Sequence, residues 1–244
     1  MRAAGCVFAE DEARLLLDEA RDASQLESLV ARRVAGEPLE YVLGWAEFAG
    51  LRLAVAPGVF VPRRRTELLL RLALDAISRP SLLELCCGVA PVATAVKARR
   101  PEASVIASDL DPAAVAVARA NLEPLDGSVV EGDLFASLPA TARFDVIAAN
   151  APYVPSAELV NMPREAREFE HPLALDGGDD GLALHRRIAA EAARWLAPGG
   201  TVLVETSRRQ APLDREIFEA RGWRVELVPD DELDATAVRA VLPA

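Results

Sequence analysis

Apolar runs of strand length alternate with segments of helical periodicity along most of this chain. The strand-like runs are residues 82–85, 105–108, 129–130, 146–149, 201–205, 223–228 and 237–242. Helical spacing is found at residues 92–98, 113–121, 182–196 and 213–220. Because parallel strands need crossover connections, the alternation predicts an α/β fold with a doubly wound, mostly parallel, seven-stranded sheet. The last two runs have no helix between them and predict an antiparallel hairpin at the sheet edge.

The first sixty residues show a different pattern. It predicts two short helices and a β-hairpin, at residues 9–20, 25–34 and 45–55. Thr66 is placed to cap the next helix, residues 68–77. We therefore expect a small N-terminal helical segment with a β-hairpin in residues 1–60, and a larger Rossmann-like domain in residues 61–244.

Composition narrows the class of protein. A chain of 244 residues that is 51% hydrophobic can form one large domain. No apolar run is long enough for a membrane span, and residues 1–10 lack the features of a secretory signal. The three cysteines, Cys6, Cys86 and Cys87, suggest neither a disulfide framework nor a metal site, so we expect a cytoplasmic protein without a metal. The net charge of −11 argues against nucleic acid as a partner.

The turn after residues 146–149 reads Asn150-Ala151-Pro152-Tyr153 and carries the strongest chemical signal. Strand ends are where open α/β sheets place their binding sites. Asn150 offers a side-chain acceptor oxygen, and Pro152 restricts Ala151 to an extended conformation that fixes the direction of its carbonyl group. Two such acceptors side by side can hold the hydrogens of an amide or aromatic amine NH2 group. Taken alone, an ordinary turn is the alternative interpretation.

Residues after the first three strands of the alternating region indicate a nucleotide-like ligand. Gly88 lies in the loop after the first strand, where a ligand can approach the backbone closely. Asp109 follows 21 residues later, at the end of the second strand, where a carboxylate can accept from both ribose hydroxyls. Asp111, before Pro112, fits a helix N-cap. Asp133 is placed to accept from an adenine amine, or is a polar residue of an ordinary loop.

These motifs resemble, in order from about Gly36 to Gln210, a family of glutamine methyltransferases. Its members modify the Gly-Gly-Gln motif of peptide-chain release factors, or a ribosomal protein. The matching positions include Gly44, Arg63, Thr66, Glu84, Asp109, Asp133, Asn150, Tyr153, Glu170, Gly177, Gly178, Glu205 and Gln210. The resemblance implies a class I methyltransferase fold, the cofactor S-adenosyl-L-methionine, and methylation of a glutamine side-chain amide in a protein that acts in translation termination.

The resemblance also implies roles for single residues. Asn150 and the carbonyl of Ala151 would hold the substrate amide in the turn that Pro152 and Tyr153 complete. Tyr153 would also form a wall of the substrate pocket, and Phe60 would pack on the glutamine side chain. The residues implied for the cofactor are Glu84, Cys86, Gly88, Asp109, Leu110, Asp133, Leu134 and Asn150. Residues 1–60 would help to recognise the protein substrate, and we expect a monomer.

The chain departs from the family pattern at several positions. Ala151 replaces the first proline of Asn-Pro-Pro-Tyr. Cys86 and Ala90 stand where glycines are usual, although alanine disfavours positive φ. Two other classes of function therefore stay open. One is a methyltransferase of another amine, either a small molecule or a nucleobase. The other is a non-catalytic, cofactor-binding relative.

Overall fold

A computed structural model describes residues 2, 6, 8–76 and 81–243 of the chain. It begins with three helices, α1 (Ala9–Glu19), α2 (Ala23–Val34) and α3 (Leu39–Leu43). The antiparallel strands β1 (Trp45–Phe48) and β2 (Leu51–Ala54) follow. The two predicted helices and the predicted hairpin are confirmed, and α3 is an additional helical turn.

The main sheet has seven strands: β3 (Ser81–Leu85), β4 (Ser104–Asp109), β5 (Ser128–Glu131), β6 (Phe144–Ala149), β7 (Leu196–Thr206), β8 (Arg224–Asp230) and β9 (Ala235–Val241). Their order is β5-β4-β3-β6-β7-β9-β8. The strands from β5 to β7 pair in parallel, whereas β9 pairs antiparallel with both β7 and β8. The predicted mostly parallel, seven-stranded sheet is confirmed. The order reverses between β3 and β6, where such sheets form a crevice for ligands.

Helices cover both faces of this sheet. They are α4 (Glu67–Ala76), α5 (Pro91–Arg99), α6 (Pro112–Leu122), α8 (Ala183–Glu191) and α9 (Ala211–Glu219). The short helix α7 (Arg164–Phe169) lies in the connection between β6 and α8. The predicted end of α4, at Ile77, lies outside the described residues. Along β6, Val146 and Ala148 face one hydrophobic core, and Ile147 and Ala149 face the other. This strict alternation explains the continuous apolar run, since a strand covered on both faces needs no polar position.

The hairpin packs on the same core as α4, α5 and α6, through Ala46, Phe48 and Leu53. Helices α1 to α3 form a separate small cluster around Leu16 and Leu29. In the part of the chain that the structure describes, no helix is both long and apolar enough to cross a membrane.

Candidate active site

A cavity of about 790 Å³ lies where β3, β4, β5 and β6 end, beneath residues 162–178. All the residues that the sequence predicted for the site line this cavity, with one exception. The predicted residues that line it are Phe60, Cys86, Gly88, Asp109, Leu110, Asp133, Leu134, Asn150, Ala151, Pro152 and Tyr153. The exception is Glu84.

Asp109, at the end of β4, is held by two backbone donors. The N–H groups of Gly88 and Asp111 donate to its two carboxylate oxygens, at 2.8 Å and 2.9 Å. Burial raises the pKa of Asp109, and these N–H groups oppose the rise. Each carboxylate oxygen keeps further acceptor capacity, which suits a pair of vicinal hydroxyls. The prediction that Asp111 caps a helix is confirmed, since its side chain accepts from the Ala113 N–H at 2.9 Å.

The loop between β3 and α5 has positive φ values, which glycine usually adopts, at two residues that are not glycine. Cys86, Gly88 and Ala90 have φ values of 49°, 55° and 59°. Cys86 and Ala90 therefore adopt the left-handed conformation that side chains disfavour, at a cost of about 1–2 kcal/mol each. The alanine at position 90 does not prevent the turn, and Pro91 begins α5 as expected.

Glu84 lies behind this loop, outside the set of residues that line the cavity. Its carboxylate accepts from the N–H groups of Ala93 (2.6 Å) and Val92 (3.3 Å), in the first turn of α5. Burial raises the pKa of Glu84 to about 8, against the effect of these two donors. Because Ala90 has no side chain that could cap the helix, Glu84 performs that task. Its position supports an indirect role, in which it holds the loop in place.

Asp133 lies at the other side of the cavity, in the loop after β5. It pairs with Arg187 of α8 at 2.9 Å, and both side chains are about half exposed, so the pair is weak. Next to it, buried Leu134 accepts at its carbonyl oxygen from the Ser108 hydroxyl at 3.0 Å. Sequence reasoning missed Arg187, because 54 residues separate it from its partner and no local motif marks it.

Asn150 belongs to a chain of hydrogen bonds at the end of β6. Its Nδ2 donates to Thr66 Oγ1 at 3.1 Å, and Thr66 Oγ1 donates to Glu205 Oε2 at 2.8 Å. The hydroxyl of Tyr153 donates to Glu205 Oε1 at 3.4 Å. The prediction that Thr66 caps its own helix is wrong, because its hydroxyl is used here and a 3-10 turn precedes α4.

Two acceptors at this turn lack a hydrogen-bond partner in the part of the chain that the structure describes. Among the described residues, no hydrogen-bond donor contacts Asn150 Oδ1 or the carbonyl oxygen of Ala151. Both residues line the cavity. These are the two acceptors that the sequence predicts for the NH2 group of a ligand.

Aromatic and charged side chains form the wall next to the turn. The Arg63 guanidinium lies over the Phe60 ring, 5.2 Å from its centroid, and pairs with the buried carboxylate of Glu170. Burial raises the pKa of Glu170, and Arg63 opposes this rise. The wall is thus a fixed apolar surface backed by an ion pair.

The N-terminal helices are tied to the wall of the cavity. The Arg33 side chain, on α2, donates to Glu12 at 2.7 Å, to Glu165 at 2.6 Å and to the Glu37 carbonyl at 3.0 Å. Glu165 lies on α7 and lines the cavity. Nothing local in the sequence marks this contact, which joins residues 132 positions apart.

The sheet order is that of the class I methyltransferase fold, and the Asp109 carboxylate and the acceptor pair lie at the strand ends that border its cavity. The family model "Methyltransferase small domain" matches residues 50–166. A methyltransferase structure from Pyrococcus furiosus has the same fold, with a TM-score of 0.58 and 18% identity over 89% of this chain and 97% of that chain.

Sequence comparison identifies the family. A release factor glutamine methyltransferase from Deinococcus radiodurans is 40% identical over 206 residues, which cover 82% of this chain and 73% of the relative. A 4-amino-L-phenylalanine/4-methylamino-L-phenylalanine methyltransferase from Streptomyces pristinaespiralis is 36% identical over 202 residues, which cover 79% and 69%. The chain belongs to the release factor glutamine methyltransferase family, as its motifs indicated.

Proposed function

We propose that this chain transfers a methyl group from S-adenosylmethionine to the side-chain amide nitrogen of a glutamine in a peptide-chain release factor. The observation that carries the proposal is the pair of free acceptors, Asn150 Oδ1 and the Ala151 carbonyl oxygen, at one end of the cavity. Membership of the family supports the choice of substrate.

The residues around the cavity fit the cofactor. Asp109 would accept from the ribose hydroxyls, the loop at Cys86 and Gly88 would hold the methionine part, and Leu134 with Asp133 would contact the adenine. A volume of about 790 Å³ leaves room for a substrate side chain beside it. When bound, S-adenosylmethionine supplies an electrophilic methyl group, which passes to the amide nitrogen as the sulfonium becomes a thioether and an N–H proton is released.

The protein contributes the orientation of a weak nucleophile. The lone pair of an amide nitrogen is delocalised into its carbonyl group, so the nitrogen reacts only when it is aligned closely with the methyl group. Asn150 and Ala151 would hold both hydrogens, fix the amide plane and stabilise the positive charge that develops on nitrogen. Phe60 and Tyr153 would enclose the glutamine side chain.

Residues 1–60 would contribute to substrate recognition, since Arg33 links them to α7 at the cavity. We further propose that the chain acts as a cytoplasmic monomer in translation termination. All three of its cysteines are free, which suits a reducing compartment.

The test is methylation of a purified release factor in the presence of S-adenosylmethionine, followed by mass spectrometry of the Gly-Gly-Gln peptide. We expect one added methyl group on the glutamine. Asn150→Ala should leave cofactor affinity nearly intact and lose roughly 10²-fold in turnover, as removal of a transition-state hydrogen bond does. A wild-type protein that binds the cofactor but leaves the release factor unmodified would refute the proposed substrate.

The second candidate function is methylation of an aromatic amine in a small molecule. The relative that carries the name of a 4-amino-L-phenylalanine methyltransferase supports it. The exocyclic NH2 group of an arylamine presents the same two hydrogens to Asn150 and Ala151. Parallel turnover assays on a Gly-Gly-Gln peptide and on 4-amino-L-phenylalanine separate the two candidates.

A further inference from the structure

We propose that Thr66 and Glu205 act as positioning residues that decide which end of the Asn150 amide group faces the substrate. This inference rests on the proposed function, because it assumes that Asn150 accepts a hydrogen bond from a substrate NH2 group. Thr66 and Glu205 both match the family pattern, and the resemblance implies no role for either in the site.

The direction of each hydrogen bond in this chain is set by Glu205. An ionised carboxylate can only accept, so the Thr66 hydroxyl donates its single hydrogen to Glu205 Oε2 at 2.8 Å. Thr66 Oγ1 can then only accept from Asn150, which requires the NH2 end of Asn150 to point towards it, at 3.1 Å. The oxygen of Asn150 must therefore face the other way, away from Thr66.

The groups around Glu205 stabilise its ionised form, which can only accept hydrogen bonds. Burial raises the pKa of its carboxyl, and three neighbours oppose that rise by stabilising the charge. They are the Thr66 hydroxyl, the Tyr153 hydroxyl at 3.4 Å and the Arg65 guanidinium at 3.7 Å. Thr66 and Glu205 are themselves buried, so water does not compete for these bonds.

Loss of this direction has a defined consequence. An Asn150 amide turned by half a rotation would present its NH2 group to the NH2 group of the substrate, and two donors cannot bond to each other. Substrate held in that way would lack one of its two acceptors. The effect belongs to the orientation of the substrate nitrogen, so it should lower kcat while cofactor affinity stays unchanged.

Thr66→Val tests the relay, because valine keeps the shape of threonine and removes its hydroxyl. We expect kcat to fall by roughly 10-fold or more, with the Kd for S-adenosylhomocysteine unchanged. Thr66→Ser, which keeps the hydroxyl, should recover most of the activity. Thr141→Val, the same change at an exposed position outside the site, is the matched control and should leave kcat unchanged. Glu205→Gln should also lower kcat, because an amide can donate as well as accept and no longer fixes the direction of the Thr66 hydrogen bond.

A spectroscopic readout makes the test independent of turnover. The Asn150 side-chain NH2 signals in a 1H–15N spectrum, assigned by their loss in Asn150→Ala, should shift in Thr66→Val and stay near their wild-type positions in Thr66→Ser. Unshifted signals in both Thr66→Val and Glu205→Gln overturn the relay, as does full kcat in both variants. Loss of cofactor binding in parallel with kcat indicates a merely structural role and also overturns it.

The proposed function can fail separately. If the wild type methylates 4-amino-L-phenylalanine and not the peptide, the glutamine substrate is wrong, and kcat of the relay variants is measured on the arylamine. If the wild type methylates neither compound, the shifts of the Asn150 NH2 signals in the Thr66 and Glu205 variants decide whether the relay exists.

Discussion

Cys86 and Ala90 hold a left-handed backbone, without being glycine, in the loop between β3 and α5 that we propose binds the cofactor. Such residues persist only where the surrounding structure outweighs the local cost. Here the carboxylate of Glu84 fixes the start of α5 and Asp109 fixes the N–H of Gly88, so the loop is held from both sides. Alanine is tolerated because its side chain is the smallest after glycine.

Ala90→Val should lower the free energy of unfolding by about 2–4 kcal/mol, because a β-branched residue at positive φ is strained and the site is fully buried. Urea denaturation measures the change. Ala95→Val is the matched control, since Ala95 is equally buried but lies inside helix α5. Equal losses in the two variants would mean that crowding, and not backbone strain, limits position 90.

Ala151→Pro restores the proline that the family usually carries. Within the described part of the chain, the Ala151 N–H donates no hydrogen bond, so its removal costs none. We expect activity on a glutamine peptide to be kept or increased, because the carbonyl acceptor becomes less mobile. The comparison of kcat on the peptide and on 4-amino-L-phenylalanine checks this. Selective loss on the arylamine would favour the second candidate function.

At the scale of elements, most of the fold could be predicted. Runs such as residues 146–149 are apolar at every position because helices cover both faces of the sheet. The helix expected over residues 182–196 is shorter in the structure, where α8 ends at Glu191 and a 3-10 turn continues to Trp195. Apolar periodicity does not distinguish these two kinds of turn.

The contacts that escaped prediction join distant elements. Thr66 and Glu205 are 139 residues apart, and Arg33 and Glu165 are 132 apart. Thr66 has the sequence context of an N-cap, yet its hydroxyl bonds to Glu205 because β7 places that carboxylate beside it. Tertiary contacts of this kind leave no periodic trace in one sequence. The residues at strand ends could be found because the topology of the sheet itself brings them together.

Glu165→Gln tests the contact between α2 and α7. It should raise KM for the release factor by about 2–5-fold, because Glu165 is half exposed and an ion pair open to solvent contributes at most about 1 kcal/mol. Cofactor affinity should not change. Glu168→Gln is the control, since Glu168 lies on the same helix and pairs only with Arg164 among the described residues. An unchanged KM in Glu165→Gln would show that α2 does not shape the substrate end of the cavity.

At the scale of the whole molecule, one cavity is lined both by the residues that we propose hold the cofactor and by the acceptor pair. Ligand binding there should stabilise the entire domain, because its residues come from loops after four strands of one sheet.

S-adenosylhomocysteine should therefore raise the Tm of the wild type. Asp109→Ala should weaken its binding by about 1–3 kcal/mol, because the ribose hydroxyls lose their acceptor, and the rise in Tm should shrink accordingly. Calorimetric titration and thermal unfolding give the two quantities. Asp111→Ala, which removes the helix cap and a neighbouring cavity-lining carboxylate, should lower Tm by itself and weaken binding much less than Asp109→Ala. Tight binding by Asp109→Ala would refute the assignment of the ribose site.

The position of β9 has a consequence for how the chain folds as it is made. β9 is the last strand in sequence, yet it lies between β7 and β8 and is largely buried. Until residues 235–241 have left the ribosome, β7 is an open sheet edge with apolar residues on both faces, and such edges promote association between chains. Nascent chains that stop before residue 235 should therefore need a chaperone to stay dispersed, although all the strands whose ends border the cavity are already complete.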